Sequence, residues 1–347
     1  MIKKNESIFN TVTPLVSRRG ILKTAGAAGV AASLGVVGKR FFIGTAAAEP
    51  VKVRLSWTEV AACHSPVAFG AAKGFFQKQG VDIELYNQGS TGQTLIQSLA
   101  TSKADLGVGL VYDFLKPLEQ GFDVKLVVGT HGGCQRLLTT AASGITNLEG
   151  LKGKTIATWD VASPPRVTFG VALAKAGIDP DKDVNWKVFP FDLLGEVLKK
   201  GEADAIGHMD PWAWGIRKEQ NLVTLADTSS GIFKDRVCCL LGASGAFLKN
   251  NKDAVRRTAA AILEVHEYTA NHPDEVAQYY VDLTKPGIPL ADLTENLAAL
   301  GYHDHPIGEA LIEQIRLAAE DLKLVNVLEK DTDPAEFARR ITNSILS

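Results

Sequence analysis

The chain has 347 residues of near-average composition, 46% hydrophobic and 22% charged, which permits one large or two medium domains with real cores. Its formal charge is −2, and no Lys/Arg cluster points to nucleic acid or a membrane surface as partner. The longest apolar run, Ala25–Val37, falls short of the ~18 residues that cross a bilayer.

That run belongs to the first predicted element, an export signal spanning 1–48. Arg18-Arg19 open it, an Ala/Gly-rich stretch follows, and Ala46-Ala47-Ala48 give a small-x-small pattern that predicts cleavage after Ala48. The twin arginine predicts passage through the Tat translocase. Cleavage takes away seven Lys/Arg and one acid, leaving 30 basic and 38 acidic residues, a formal charge of −8. All four cysteines, Cys63, Cys134, Cys238 and Cys239, lie in the mature part. An oxidising compartment permits a disulfide, with Cys63–Cys134 the pair to consider.

The mature chain opens on an alternating strand, 51–57. A loop over 58–64 leads to Ser65-Pro66, read as N-cap and first helical residue of a helix over 67–79 that Gly80 closes. Strands follow at 81–86, 106–110 and 124–129, with helices at 93–101 and 112–121, and a further strand at 137–141. After a polar turn the alternation repeats: strand 155–158, helix 167–176, strand 184–189, helix 193–200, strands 205–208 and 222–226. Such βα alternation with short loops predicts parallel or mixed sheets flanked by helices. A strand over 237–243 returns to the first lobe. Helices are predicted at 254–272, 273–284, 290–299, 305–322 and 334–345.

Four stretches carry a family resemblance: Val67–Phe76, Ala104–Gly109, Leu148–Ala157 and Gly201–Ala205. In this order and spacing the chain resembles periplasmic substrate-binding proteins of ABC importers, in the nitrate/taurine/sulfonate (NitT/TauT, SsuA-like) group that also includes thiamine-precursor binders. The resemblance implies a two-lobed α/β periplasmic-binding-protein fold of type II. Its lobes are joined by two hinge strands, and the C-terminal helices pack on lobe one. It implies lobe 1 over 49–140, lobe 2 over 141–236 and a return to lobe 1 over 237–347. It further implies a monomer that binds a small organic solute (sulfonate, carboxylate or heteroaromatic precursor) for an inner-membrane permease, with no cofactor and no chemistry on the solute. Fungal pyrimidine synthases share the fold and carry a cysteine-rich iron motif near Cys238-Cys239. Only two cysteines stand here, and the export signal argues against that enzyme.

Ligands of open α/β sheets sit beyond the carboxyl ends of strands. The candidate binding residues are therefore Trp57, Cys63, His64, Ser65, Ser90, Thr91, Tyr112, Asp113, His131 and Cys134 from lobe 1. Lobe 2 offers Trp159, Asp160, Ser163, His208, Asp210 and Trp212. Ser90 and Thr91 precede a helix whose free N–H groups suit an anion. Asp160 and Asp210 suit a cationic or hydrogen-bond-donating group, the tryptophans a planar one. Arg136 and Arg166 are within reach for a carboxylate or sulfonate. Pleat alternation, with Asp210 facing inward, puts His208 on its side and Met209 away. The alternative ligand is a soft metal, metal complex or thiol-reactive group held by Cys63, His64, His131 and Cys134, the ligand types of Zn²⁺ and Cu⁺.

Overall fold

A computed structural model describes residues 50–89 and 92–346. Arg18, Arg19, the cleavage position after Ala48, and Ser90 and Thr91 lie outside them. No helix of the described residues is long and apolar enough to cross a membrane.

In chain order the elements are β1 (Val51–Trp57), a 3₁₀ turn Ala62–His64, α1 (Ser65–Ala72), α2 (Phe75–Lys78), β2 (Val81–Asn87), α3 (Gly92–Ala100), β3 (Leu106–Leu110), α4 (Val111–Glu119), β4 (Val124–His131) and β5 (Gln135–Thr139). Next come β6 (Thr155–Thr158), α5 (Pro164–Lys175), β7 (Asn185–Val188), α6 (Leu194–Lys199), β8 (Ala205–Met209), α7 (Trp212–Glu219), β9 (Val223–Asp227) and β10 (Cys239–Ser244). Helices α8 (Gly245–Asn250), α9 (Lys252–Asn271), α10 (Pro273–Thr284), α11 (Leu290–Ala298), α12 (Gly308–Leu324) and α13 (Pro334–Ile341) complete the chain.

Two five-stranded sheets result, in the orders β2-β1-β3-β10-β4 and β7-β6-β8-β5-β9. Each holds one strand that runs against its neighbours. β10 lies antiparallel between β3 and β4, and β5 antiparallel between β8 and β9. These two strands are where the chain passes between sheets, outward through 132–134 and back through 228–238. Both sheets are three-layered. The first is covered by a core of Leu55, Phe69, Phe76, Ile262 and Tyr280 on one face and of Leu95, Phe114, Leu240, Ile315 and Phe337 on the other. Phe169 and Leu173 cover one face of the second sheet, Leu194 and Leu198 the other. Central parallel strands buried on both faces lose their alternation. Accordingly β3 is buried over Leu106–Gly109 and β8 throughout.

The predicted long first helix is broken. Gly74 takes φ +83°, a left-handed conformation that glycine adopts without a Cβ penalty, and the chain restarts as α2. Ser65 is the first helical residue rather than the cap, and its hydroxyl caps nothing. Helix α7 has no counterpart among the predicted elements, because Pro211 and two tryptophans mask its start. The C-terminal helices pack on the first sheet, and α11 and α12 also touch α7 and α5 of the second lobe.

Candidate functional site

The carboxyl ends of β1, β3 and β8 face one another where the chain crosses between lobes. They enclose a cavity of about 40 Å³, lined by Thr58, Cys63, His64, Gln88, Leu110, Asp113, Cys134, Met209 and Cys239 among others. Room for a water takes ~10–15 Å³, whereas drug-sized ligands occupy pockets of roughly 300–1,000 Å³. The lobes are thus closed on a space for an ion or a few waters. No Lys or Arg among the described residues lines it.

The predicted soft donors do converge, with one change of membership. The turn after β1 carries Cys63 and His64. His131 ends β4, and the antiparallel ladder sets Cys239 of β10 directly opposite it. Ligand atoms of Cys63, His64, His131 and Cys239 all lie within 4.8 Å of one another, every residue buried. Cys134, Cys238 and Cys239 form a second such group. All four cysteines are free, and Cys134 Sγ lies 3.2 Å from Cys238 Sγ. Cys239, absent from the predicted donor set, belongs to both groups.

Burial holds these imidazoles neutral. It pushes His64 down to about 3, with His131 adding to the shift, and it lowers His131 as well. The His131 Nδ1 lies 2.9 Å from the Gly132 carbonyl, so it carries the proton and donates. Its Nε2, buried and bearing the lone pair, has no hydrogen-bond partner among the described residues. Hydrogen bonds from Cys134 and Cys239 bring the Cys63 thiol down to about 6, while burial raises Cys239. Burial likewise pushes Asp113 up to about 7. Its carboxylate packs against Gly92, where an added Cβ would come within 2.3 Å of Oδ2.

Other predicted residues serve the walls. Asp210 is fully buried and lines neither the 40 Å³ cavity nor the one beside it. Arg136 donates to it through Nε and Nη2, each at 3.0 Å, and Asn296 Nδ2 at 2.9 Å. A carboxylate with both oxygens engaged and no exposed surface is not presented to a solute, which corrects its reading as a cleft ligand. Arg136 is correspondingly spent, and Arg166 sits on the surface, bonded to the Val161 carbonyl and Asp181. The pleat expectation is reversed too. Strand β8 ends at Met209, so Asp210 lies beyond the alternation; Met209 faces the cavity and His208 packs away. His208 stands edge-on to Phe191 at 4.6 Å and against Trp159 at 5.5 Å. Burial drives its pKa down to about 3.

Trp57 packs in the first core. Trp212 Nε1 donates to the Val60 carbonyl at 3.1 Å, tying α7 to the other lobe. Exposed Asp160 caps its own loop through Ala162 N–H. Ser163 precedes α5 with its hydroxyl buried and bonded to nothing among the described residues. Tyr112 lines an adjoining cavity of about 30 Å³ and donates to Asp321 at 2.9 Å. Lys175 and Arg236 meet the same carboxylate at 2.5 and 2.7 Å, a second bond between lobes. Sequence reasoning missed Thr58 and Gln88. Gln88 had a signal, a polar residue just past β2. It is fixed by Ser56 Oγ at 2.7 Å and by its own donation to the Val108 carbonyl.

The NMT1/THI5-like family model matches residues 61–276. No curated protein matches the chain by sequence. Solved structures share its fold. The alkanesulfonate-binding protein SsuA from Xanthomonas axonopodis pv. citri, bound to MOPS, is 17% identical over 84% of this chain and 98% of its own, with a TM-score of 0.68. The periplasmic nitrate-binding protein NrtA from Synechocystis PCC 6803 is 13% identical, covering 85% and 87%, with a TM-score of 0.70. The ligand-binding component of an ABC-type import system from Staphylococcus aureus, with zinc bound, is 13% identical, covering 84% and 99%, with a TM-score of 0.65.

Proposed function

The chain belongs to the NMT1/THI5-like family, and from that premise we propose that it is the solute-binding component of an ABC importer. It is exported through Arg18-Arg19 by the Tat translocase, cut after Ala48, and works in the periplasm as a monomer. It takes a solute between its lobes and hands it, chemically unchanged, to an inner-membrane permease. The observation that carries this is the closed cavity at the carboxyl ends of both sheets, at the point where β5 and β10 change lobes. Solved proteins of the same fold, described as binding sulfonates or nitrate, support the class.

Among organic solutes, a neutral or cationic heterocycle suits the lining better than a sulfonate or carboxylate. Asp113 and Gln88 offer acceptors, His64, whose Nδ1 accepts from Thr58 N–H, offers a donor through Nε2, and no Lys or Arg among the described residues lines the cavity as a counter-charge. A heterocycle needs the lobes to open beyond the present 40 Å³. The second reading, soft-metal capture, is favoured by Cys63, His64, Cys134 and Cys239 lining that same space, with His131 grouped beside Cys63, His64 and Cys239. Mass spectrometry of what natively purified protein releases, followed by a thermal-shift panel of sulfonates, carboxylates, pyrimidines and soft metals, tests the proposal. A single solute that raises the melting temperature supports it. No shift from any class removes it.

A further inference from the structure

We propose that Cys63, Cys239, His64 and His131 form a four-coordinate site for one thiophilic d¹⁰ cation, with Zn²⁺ the charge-matched ion. The inference deepens the solute-binding reading and rests on it in taking the ion as the solute.

Three observations carry it. The first is geometric. A tetrahedral zinc centre with Zn–S about 2.3 Å and Zn–N about 2.0 Å has donor–donor edges of roughly 3.3–3.8 Å. The four donors already lie within 4.8 Å of one another, although they come from three separate segments of chain. The second is the unpartnered nitrogen. His131 Nδ1 is anchored to the Gly132 carbonyl and its Nε2 is left bare in the interior. A buried lone pair with no partner among the described residues is costly to leave unmet, and an imidazole with one nitrogen tied to a carbonyl is the arrangement that orients a metal ligand. The third is size: the cavity that three of the four donors, Cys63, His64 and Cys239, line admits an ion and excludes a heterocycle.

Charge selects among soft ions. Every donor is buried, and a buried ion is tolerated where its charge is cancelled. Binding leaves Cys63 and Cys239 as thiolates, any S–H proton going to solvent. Zn²⁺ with two thiolates and two neutral imidazoles then carries no net charge. His64 is the weakest donor, because its Nδ1 accepts a long 3.3 Å bond from Thr58 N–H that coordination would loosen. Met209 closes the cavity from the second lobe.

The test uses full-length mature protein, reduced, stripped with chelator and titrated anaerobically. The expected result is one Zn²⁺ per chain. Co²⁺ should give thiolate-to-metal charge-transfer bands with intense tetrahedral d–d absorption, a readout that needs no variant. Cys63→Ser and His131→Gln should each weaken Zn²⁺ by about tenfold or more, whereas His208→Gln, outside the donor set, should retain it. Absence of Zn²⁺ and Co²⁺ binding overturns the site, as does Zn²⁺ held undiminished by Cys63→Ser. Capture of Cu⁺ alone also overturns the four-coordinate assignment, in favour of Cys134, Cys238 and Cys239. An organic solute that raises the melting temperature of protein unable to bind metal overturns the metal site and leaves the solute-binding reading standing. Tight Zn²⁺ binding without permease-dependent uptake overturns the ion as solute.

Discussion

Replacing Asp210 separates a structural carboxylate from a ligand-binding one. In Asp210→Ala the Arg136 guanidinium, 9% exposed, loses both of its 3.0 Å bonds. What remains is Asp227 at 3.9 Å and the face of Trp214 at 4.7 Å, neither a substitute for a bidentate partner. Asn296 loses its acceptor as well. Removing one member of a buried pair strands the other charge and costs about 3–5 kcal/mol, a large part of the 5–15 kcal/mol typical of a folded protein. Urea unfolding at pH 7 should therefore show a midpoint well below wild type with an unchanged slope. The double variant Arg136→Met/Asp210→Leu strands no charge and should recover most of the loss. A single variant that loses less than about 1 kcal/mol would refute the pairing argument. Loss of solute affinity at full stability would return Asp210 to the binding site.

Other measurements bear on separate parts of the molecule. Burial lowers His64 and His208 to about 3 from an unfolded value near 6.5, so between those values the unfolded chain binds more protons. Their contribution is complete above pH ~6.5 and drains away as pH falls toward 3, by up to ~1.4 kcal/mol per pH unit for each imidazole. Urea midpoints at pH 7, 6 and 5 should fall accordingly, and His208→Gln should flatten the slope; an equally steep variant would refute the assignment. Leu55→Ala, at a fully buried β1 position, should cost about 2–5 kcal/mol by calorimetry, and near-wild-type stability would be against the core described. All four thiols are buried, so a thiol reagent should react within seconds only after denaturant is added. Rapid labelling of the native protein would contradict their placement.

Strand positions were legible in the sequence because hydrophobic runs and turn glycines lie close together along the chain. β3 and β6 match their predicted spans at both ends. The meeting of Cys63, His64 and His131 was legible for the same reason, since each follows a strand end. What the sequence withheld are partners far away in the chain. Asp210 looked available because neither Arg136, 74 residues earlier on β5, nor Asn296, in a late helix, announces itself. Cys239 looked like packing because its facing residue depends on β10 inserting between β3 and β4. The inward face of β8 was misjudged by carrying the pleat one residue past the strand.

The two crossings have a mechanical consequence. Cys63, His64, His131 and Cys239 ride on the first lobe, and Cys134 and Cys238 lie on or beside the connecting segments. Gly133, at φ +45° with Ser229 packed where a Cβ would go, fixes the bend between β4 and β5. A swing of the lobes about these segments moves points in proportion to their distance from the axis. The donor cluster sits at the fulcrum, where the lever arm is short, and Met209 alone among the soft side chains approaches from the moving arm. Opening would withdraw that roof and leave the cluster assembled.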